Sequence, residues 1–120
     1  MKEISFAWTT PALLAGRKTV TRRAWSDDYA RRFRAGELVT ALDRQRRYRG
    51  KPVAVIRLTQ APYFESTVKA PDTDWEAEGF EYLTGIGAKV DGHAPEALWR
   101  RWRWIGEDMW VVRFELVEVL

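Results

Sequence analysis

The sequence predicts an α+β domain built on a small, mostly antiparallel β-barrel with inserted helices. Three observations carry this expectation. Short β-propensity runs recur along the chain, helix start and stop signals fall between them, and the 120 residues suit one core rather than two. With 46% hydrophobic and 13% aromatic residues, seven of them Trp, the chain holds enough apolar surface to offset the entropy of ordering, so residues 1–120 are expected to fold as one domain.

The elements follow in order. Ile4-Ser5-Phe6-Ala7-Trp8 alternates apolar and small residues and reads as a first strand. Thr9 or Thr10 then offers a cap, Pro11 suits a first helical turn, and Gly16 can close the short helix in a left-handed conformation. Thr19 to Ala24 is β-branched and extended. Ser26-Asp27-Asp28 caps a helix running to Arg34 with Tyr29 and Phe33 on its buried face, and Gly36 ends it. Residues 37–42 and 52–58 form a hairpin with an Arg-rich tip at 43–51. Pro71, Asp72 and Thr73 open an amphipathic helix around Trp75 to Leu83, a Gly-rich loop follows at Gly85, Gly87 and Gly92, and a second helix starts at Pro95. In the last strand Trp110, Val112, Phe114 and Leu116 alternate with Arg113 and Glu115.

Composition narrows the chemistry. No apolar run approaches the roughly 20 residues of a membrane span, and the start Met-Lys-Glu-Ile lacks the layout of a signal peptide, so the expectation is a soluble, cytoplasmic protein with no membrane partner. With no Cys and one His, His93, there is no basis for disulfides, thiolate metal sites, a Cys nucleophile or a His-based triad; neither a metal nor another cofactor is expected. Lys, Thr, Ser, Tyr and carboxylates remain. The charge of +3 conceals a segregation: residues 17–51 hold twelve basic and four acidic groups, whereas 65–96 hold eight acidic and two basic. Ten of the twelve are Arg, whose planar fork matches phosphate and stacks on bases, so a nucleoside, nucleotide or RNA is the natural partner. For any single Arg, simple solvation is the plainer explanation.

The stretch Leu14-Ala15-Gly16-Arg17-Lys18-Thr19-Val20-Thr21-Arg22-Arg23 joins a helix end to a strand. In a strand Thr19, Thr21 and Arg23 share a face, and Lys18 at the turn can swing its ammonium over it. A desolvated Lys has a lowered pKa and can act as the base that a Thr hydroxyl needs to become a nucleophile. Arg23 can hold a phosphate or a carbonyl.

Gly16-x-Lys18-x-x-Thr21-x-Arg23 resembles the G-x-K-x-x-T-x-R signature of ASCH domains, which are similar in fold to RNA-binding PUA domains. Glu76-Ala77-Glu78-Gly79-Phe80 is similar to the family's downstream Glu motif, with Glu78 in the key place, and Trp110-Val111-Val112-Arg113-Phe114-Glu115 resembles its closing strand. The resemblance implies a PUA-like barrel and, in one branch, an amidohydrolase acting on N4-acetylcytidine. In that branch Thr21 would attack the acyl carbon, Lys18 would accept its proton, and Glu78, its pKa raised in an apolar cleft near Trp75 and Phe80, would protonate the leaving amine. Gly16, Arg22, Arg23 and Trp75 are the expected substrate contacts, with Arg23 orienting the carbonyl.

Two other readings stand beside it. The double Arg at 22–23, the tip residues Arg44, Arg46, Arg47 and Arg49, and the run Trp99-Arg100-Arg101-Trp102-Arg103-Trp104 suit a non-catalytic RNA-binding module. In that last run, however, helical spacing turns Trp99, Trp102, Leu98 and Ile105 to the core and leaves the Arg residues solvated. A ribonuclease would want clustered carboxylates from Asp72, Asp74, Glu76 and Glu78. Helical geometry splays Glu76 from Glu78 and leaves the two Asp residues in a first turn, where they complement the dipole without a metal.

Overall fold

The computed structural model describes residues 1–120 as an α+β domain around a mixed, strongly curled half-barrel sheet. Its strands are β1 (Glu3–Ser5), β2 (Val20–Arg23), β3 (Leu38–Leu42), β4 (Pro52–Leu58), β5 (Tyr63–Ser66) and β6 (Asp108–Val119). The helices are α1 (Thr10–Leu14), α2 (Asp27–Ala30), α3 (Asp74–Ala77), α4 (Phe80–Gly85) and α5 (Pro95–Trp104). The order is β1-β3-β4-β6-β2, antiparallel except for the parallel pair β1–β3. β6 organises the sheet: its C-terminal half pairs with β4, while Trp110–Arg113 pairs with β2 and Asp108–Val111 with β5. The expected hairpin is β3–β4, with Val39 facing Ile56 and a register shift at its tip.

The curl closes over one apolar core. Ile4 and Phe6 at the start of the chain meet Val112 and Phe114 of β6 through Leu13, Val39, Ile56 and Leu58, all essentially buried. Phe6 and Phe114 touch edge to face at 5.5 Å. A second cluster, Ala12, Phe80, Leu83 and Trp102, seats α1, α4 and α5 together. The stacked Trp25 and Phe33, with Tyr29 edge-on to both, cover the outer side of the main core.

Local structure departs from expectation in four places. The first strand stops at Ser5, because Ala7 takes a positive φ of 45° and Ala7–Thr9 forms a 3-10 turn instead. The helix capped by Ser26 ends at Ala30 rather than Arg34, since Arg32 and Phe33 close tight turns onto Tyr29 and Ala30. The helix expected around Trp75 to Leu83 is two pieces, α3 and α4, broken at Gly79 (φ +88°). Ile105 is 76% exposed rather than buried, because α5 ends at Trp104 before its side chain can reach the core. Trp102 is buried and Trp99 packs on Trp75 and Phe80, as helical spacing required.

The break at Gly79 is structurally enforced. A Cβ there would stand 2.5 Å from Ala12 Cβ and 3.3 Å from Lys18 Cβ, on a backbone only glycine adopts freely. Gly79→Ala is therefore expected to cost about 2–4 kcal/mol from left-handed strain plus overpacking, read as a lowered denaturation midpoint at unchanged m-value.

No helix is long and apolar enough to cross a membrane.

Candidate active site and its buried charge network

The site forms where the loop from α1 to β2 meets the α3–α4 break. Gly16, in the left-handed region at φ +72°, turns the chain out of α1, and Thr19 N–H donates to Ala77 C=O at 2.7 Å. This docking sets Lys18 beside Glu78. Lys18 is 1% exposed; its Nζ donates to the Glu78 carbonyl at 2.8 Å and to Glu78 Oε1 at 3.0 Å. Arg22 takes the other carboxylate oxygen, Nη1 to Glu78 Oε2 at 2.6 Å, and bridges by Nη2 to Asp74 Oδ2 at 2.6 Å. Arg113 grips Asp74 from β6 with Nη1 and Nη2 at 3.0 and 2.9 Å, and its Nε donates to Tyr63 Oη at 3.0 Å. A chain of alternating charge thus runs Lys18, Glu78, Arg22, Asp74, Arg113. The Arg22 guanidinium also lies over the Trp102 ring, 5.9 Å from its centroid.

The network sorts protonation states. Burial pulls the Lys18 ammonium below its ordinary 10.5, against the pull of Glu78, with Arg23 and Arg22 adding to the lowering. For Arg22 burial also opposes the charge, but Glu78 and Asp74 outweigh it and hold the pKa above its usual value. Burial would raise Asp74, yet hydrogen bonds from Arg113 and Arg22 keep it below 3.8. Arg23 differs: it is part-buried, has no carboxylate within 4 Å, and burial brings it down to about 10. Its Nε donates to Thr21 Oγ1 at 3.1 Å and its Nη2 to the Ser5 carbonyl at 2.6 Å, while the guanidinium stacks on Phe6.

These groups open into a cavity of about 710 Å³. Lys18, Thr21, Arg22, Arg23 and Glu78 form its polar wall; Phe6, Phe80, Val90, Leu98 and Trp102 form the apolar one. At its mouth stand Trp8 and Tyr48, 57% and 60% exposed, with Arg44. The expected catalytic set is therefore gathered in one place. Lys18 and Thr21 share the cavity without a direct hydrogen bond, since both Lys18 Nζ contacts go to Glu78.

Other expected contacts lie elsewhere. Trp75 does not line the cavity: it packs against Phe80 and Trp99, and its indole N–H donates to Glu81. Gly16 shapes the turn and is exposed. Of the four hairpin-tip arginines Arg44 alone lines this cavity; Arg46 is held by Glu3, Arg47 lies over Tyr48, and Arg49 caps the 3-10 turn in a left-handed conformation. The carboxylates considered for a metal are divided, with Glu76 on the surface against Arg17, Asp72 against Arg103, and Asp74 and Glu78 held by the buried cations.

Sequence reasoning missed Arg113 and Tyr63, and it read Asp74 only as a first-turn acid rather than as a partner of Arg22 and Arg113. The signal for Asp74 was its four-residue spacing from Glu78, which puts two carboxylates on one side of a helical turn. Arg113 carried none, because pairing β2 with β6 is a long-range event.

Fold and site together define a small α+β half-barrel domain with an open cavity backed by a buried ion network. No protein-family model and no curated protein matches the chain. Among solved structures it is similar to the crystal structure of protein EF3133 from Enterococcus faecalis V583, of the family DUF984, with a TM-score of 0.51 and 23% identity. The likeness covers 88% of this chain and 64% of that protein, so the chain spans less than two thirds of its neighbour, and at this identity it speaks to fold alone.

Proposed function

We propose that the cavity binds a cytidine-type nucleoside or nucleotide and hydrolyses the amide of an N4-acylated cytosine, as an ASCH domain of PUA-like fold. The observation that carries this reading is the convergence of a buried Lys of lowered pKa, a Thr hydroxyl and a fixed carboxylate on one half-apolar cavity. Thr21 Oγ1 attacks the acyl carbon, and its proton passes, through one bridging water or a swing of the side chain, to the deprotonated form of Lys18, which burial favours. Arg23 Nε already donates to that hydroxyl oxygen, which leaves the hydroxyl proton free for the base and stabilises charge as the oxygen attacks. The C–N bond then breaks, and the leaving cytosine amine takes up the proton relayed through the Lys18–Glu78 pair. Water then attacks the acyl carbon of the resulting Thr21 ester; Lys18 accepts the water's proton and returns it to Thr21 Oγ1 as the ester C–O bond breaks, which releases the carboxylic acid and restores the hydroxyl.

Incubation of the purified protein with N4-acetylcytidine tests this: equimolar cytidine and acetate are expected, and no release above buffer would refute hydrolysis.

One observation favours the RNA-binding alternative. Arg44 and Tyr48 border the cavity mouth, and Arg47 stacks on Tyr48, a surface on which a phosphate and a base can sit together. Reversing Arg44 and Arg47 to Glu would then reduce both RNA affinity and its salt slope; an unchanged slope would remove the tip from the interface.

A further inference from the structure

We propose that the smaller cavity beside the main one is a phosphate subsite, so that the site takes a nucleoside monophosphate rather than the neutral nucleoside. This rests on reading the main cavity as a nucleoside site. The second cavity measures about 380 Å³ and shares three wall residues with the first: Ser5, Arg23 and Gln45. Arg23 therefore stands between the two, with Tyr29, Arg46 and Glu3 on the far side.

Charge accounting makes the case. Part-buried and buried charges are normally compensated, because removing an ion from water without a partner is costly. Lys18, Arg22 and Arg113 all meet Glu78 or Asp74, and Arg46 meets Glu3 through Nε and Nη2. Arg23 meets only two neutral oxygens, Thr21 Oγ1 and the Ser5 carbonyl. A guanidinium carries five N–H donors, and those two bonds leave three of them without a protein acceptor. The charge persists at neutral pH, since Arg23 is lowered only to about 10.

The missing counter-ion is the ligand's. A phosphate matches the guanidinium fork, and Gln45 and Arg46 offer further donors on the same wall. Three carboxylates bear on the cavities from the opposite direction, and of these Glu78, which also favours the Arg23 charge from a distance, is spent on Lys18 and Arg22. Glu3 is already spent on Arg46, and Asp43, at the main mouth, accepts from Lys51 N–H. The apolar wall, Thr21 and Lys18 lie on the main-cavity side, so base and acyl group belong there and the phosphate belongs beyond Arg23.

Inorganic phosphate, cytidine and cytidine monophosphate serve as probes, by thermal shift and calorimetry at low salt. Phosphate is expected to raise the wild-type Tm in a dose-dependent way and to leave Arg23→Gln unmoved. The monophosphate is expected to bind wild type at least about tenfold more tightly than cytidine, a preference that collapses in Arg23→Gln. Gln45→Glu changes an exposed side chain, keeps the fold, and should erode the same preference by repulsion. Equal affinity for cytidine and its monophosphate, or the same phosphate shift in wild type and Arg23→Gln, would overturn the subsite while leaving the nucleoside reading intact. Phosphate binding through Arg23 with no affinity for either cytidine compound would do the reverse.

Discussion

Arg22→Met is expected to lower stability by about 3 kcal/mol or more and the Tm by more than about 10 °C, the largest effect of any single change at the site. Arg22 is the one cation that touches both buried carboxylates. Its removal leaves Glu78 with Lys18 alone and Asp74 with Arg113 alone, and takes the donor from the buried Glu78 Oε2. Methionine preserves the packing on Trp102, so the loss reports the charge rather than a cavity. A double-mutant cycle with Asp74→Asn should show coupling of about 1–3 kcal/mol, because one member of the pair loses its meaning without the other. Additive effects would mean that Arg22 acts through packing.

Thr21→Ala and Lys18→Ala are each expected to reduce turnover of N4-acetylcytidine on the order of 10²–10⁴-fold. The two losses should not add, since nucleophile and base serve a single step. Thr21 is 4% exposed and its hydroxyl accepts from Arg23, so alanine removes the attacking oxygen and leaves a small void. Cytidine affinity should survive in Thr21→Ala, separating chemistry from binding. Thr21→Ser keeps the hydroxyl and should retain most activity; its inactivity would point away from oxygen attack by this residue.

Much of the fold was legible because its signals are local. The β3–β4 hairpin, α1 between Pro11 and Gly16, and α5 from Pro95 follow from alternation, turn residues and caps read within a short window. The α3–α4 break was not legible. An isolated Gly within an apolar pattern is compatible with a continuous helix, and what forbids one here is Ala12, 67 positions away in sequence and 2.5 Å away in space. The same distinction runs through the site. Lys18 and Thr21 stood out by their local spacing and Glu78 through the family resemblance, and the three share the cavity. Trp75 was placed there because it neighbours Glu78 in sequence, but the helical turn aims it at Trp99 instead. The alternating ion chain through Asp74 and Arg113 depends on β6 pairing, and beyond the four-residue spacing of Asp74 and Glu78 nothing local announces it.

The chemistry proposed for the site needs Lys18 to lose its proton more readily than an ordinary lysine. An NMR titration that follows the Lys18 side-chain signal, assigned by its disappearance in Lys18→Ala, measures this without any substrate. The folded protein is expected to titrate Lys18 below 10.5, and Glu78→Gln should lower it further by removing the carboxylate that favours the ammonium. A Lys18 that titrates at or above 10.5 would contradict the account, because burial would then not favour the amine form that takes the proton from Thr21.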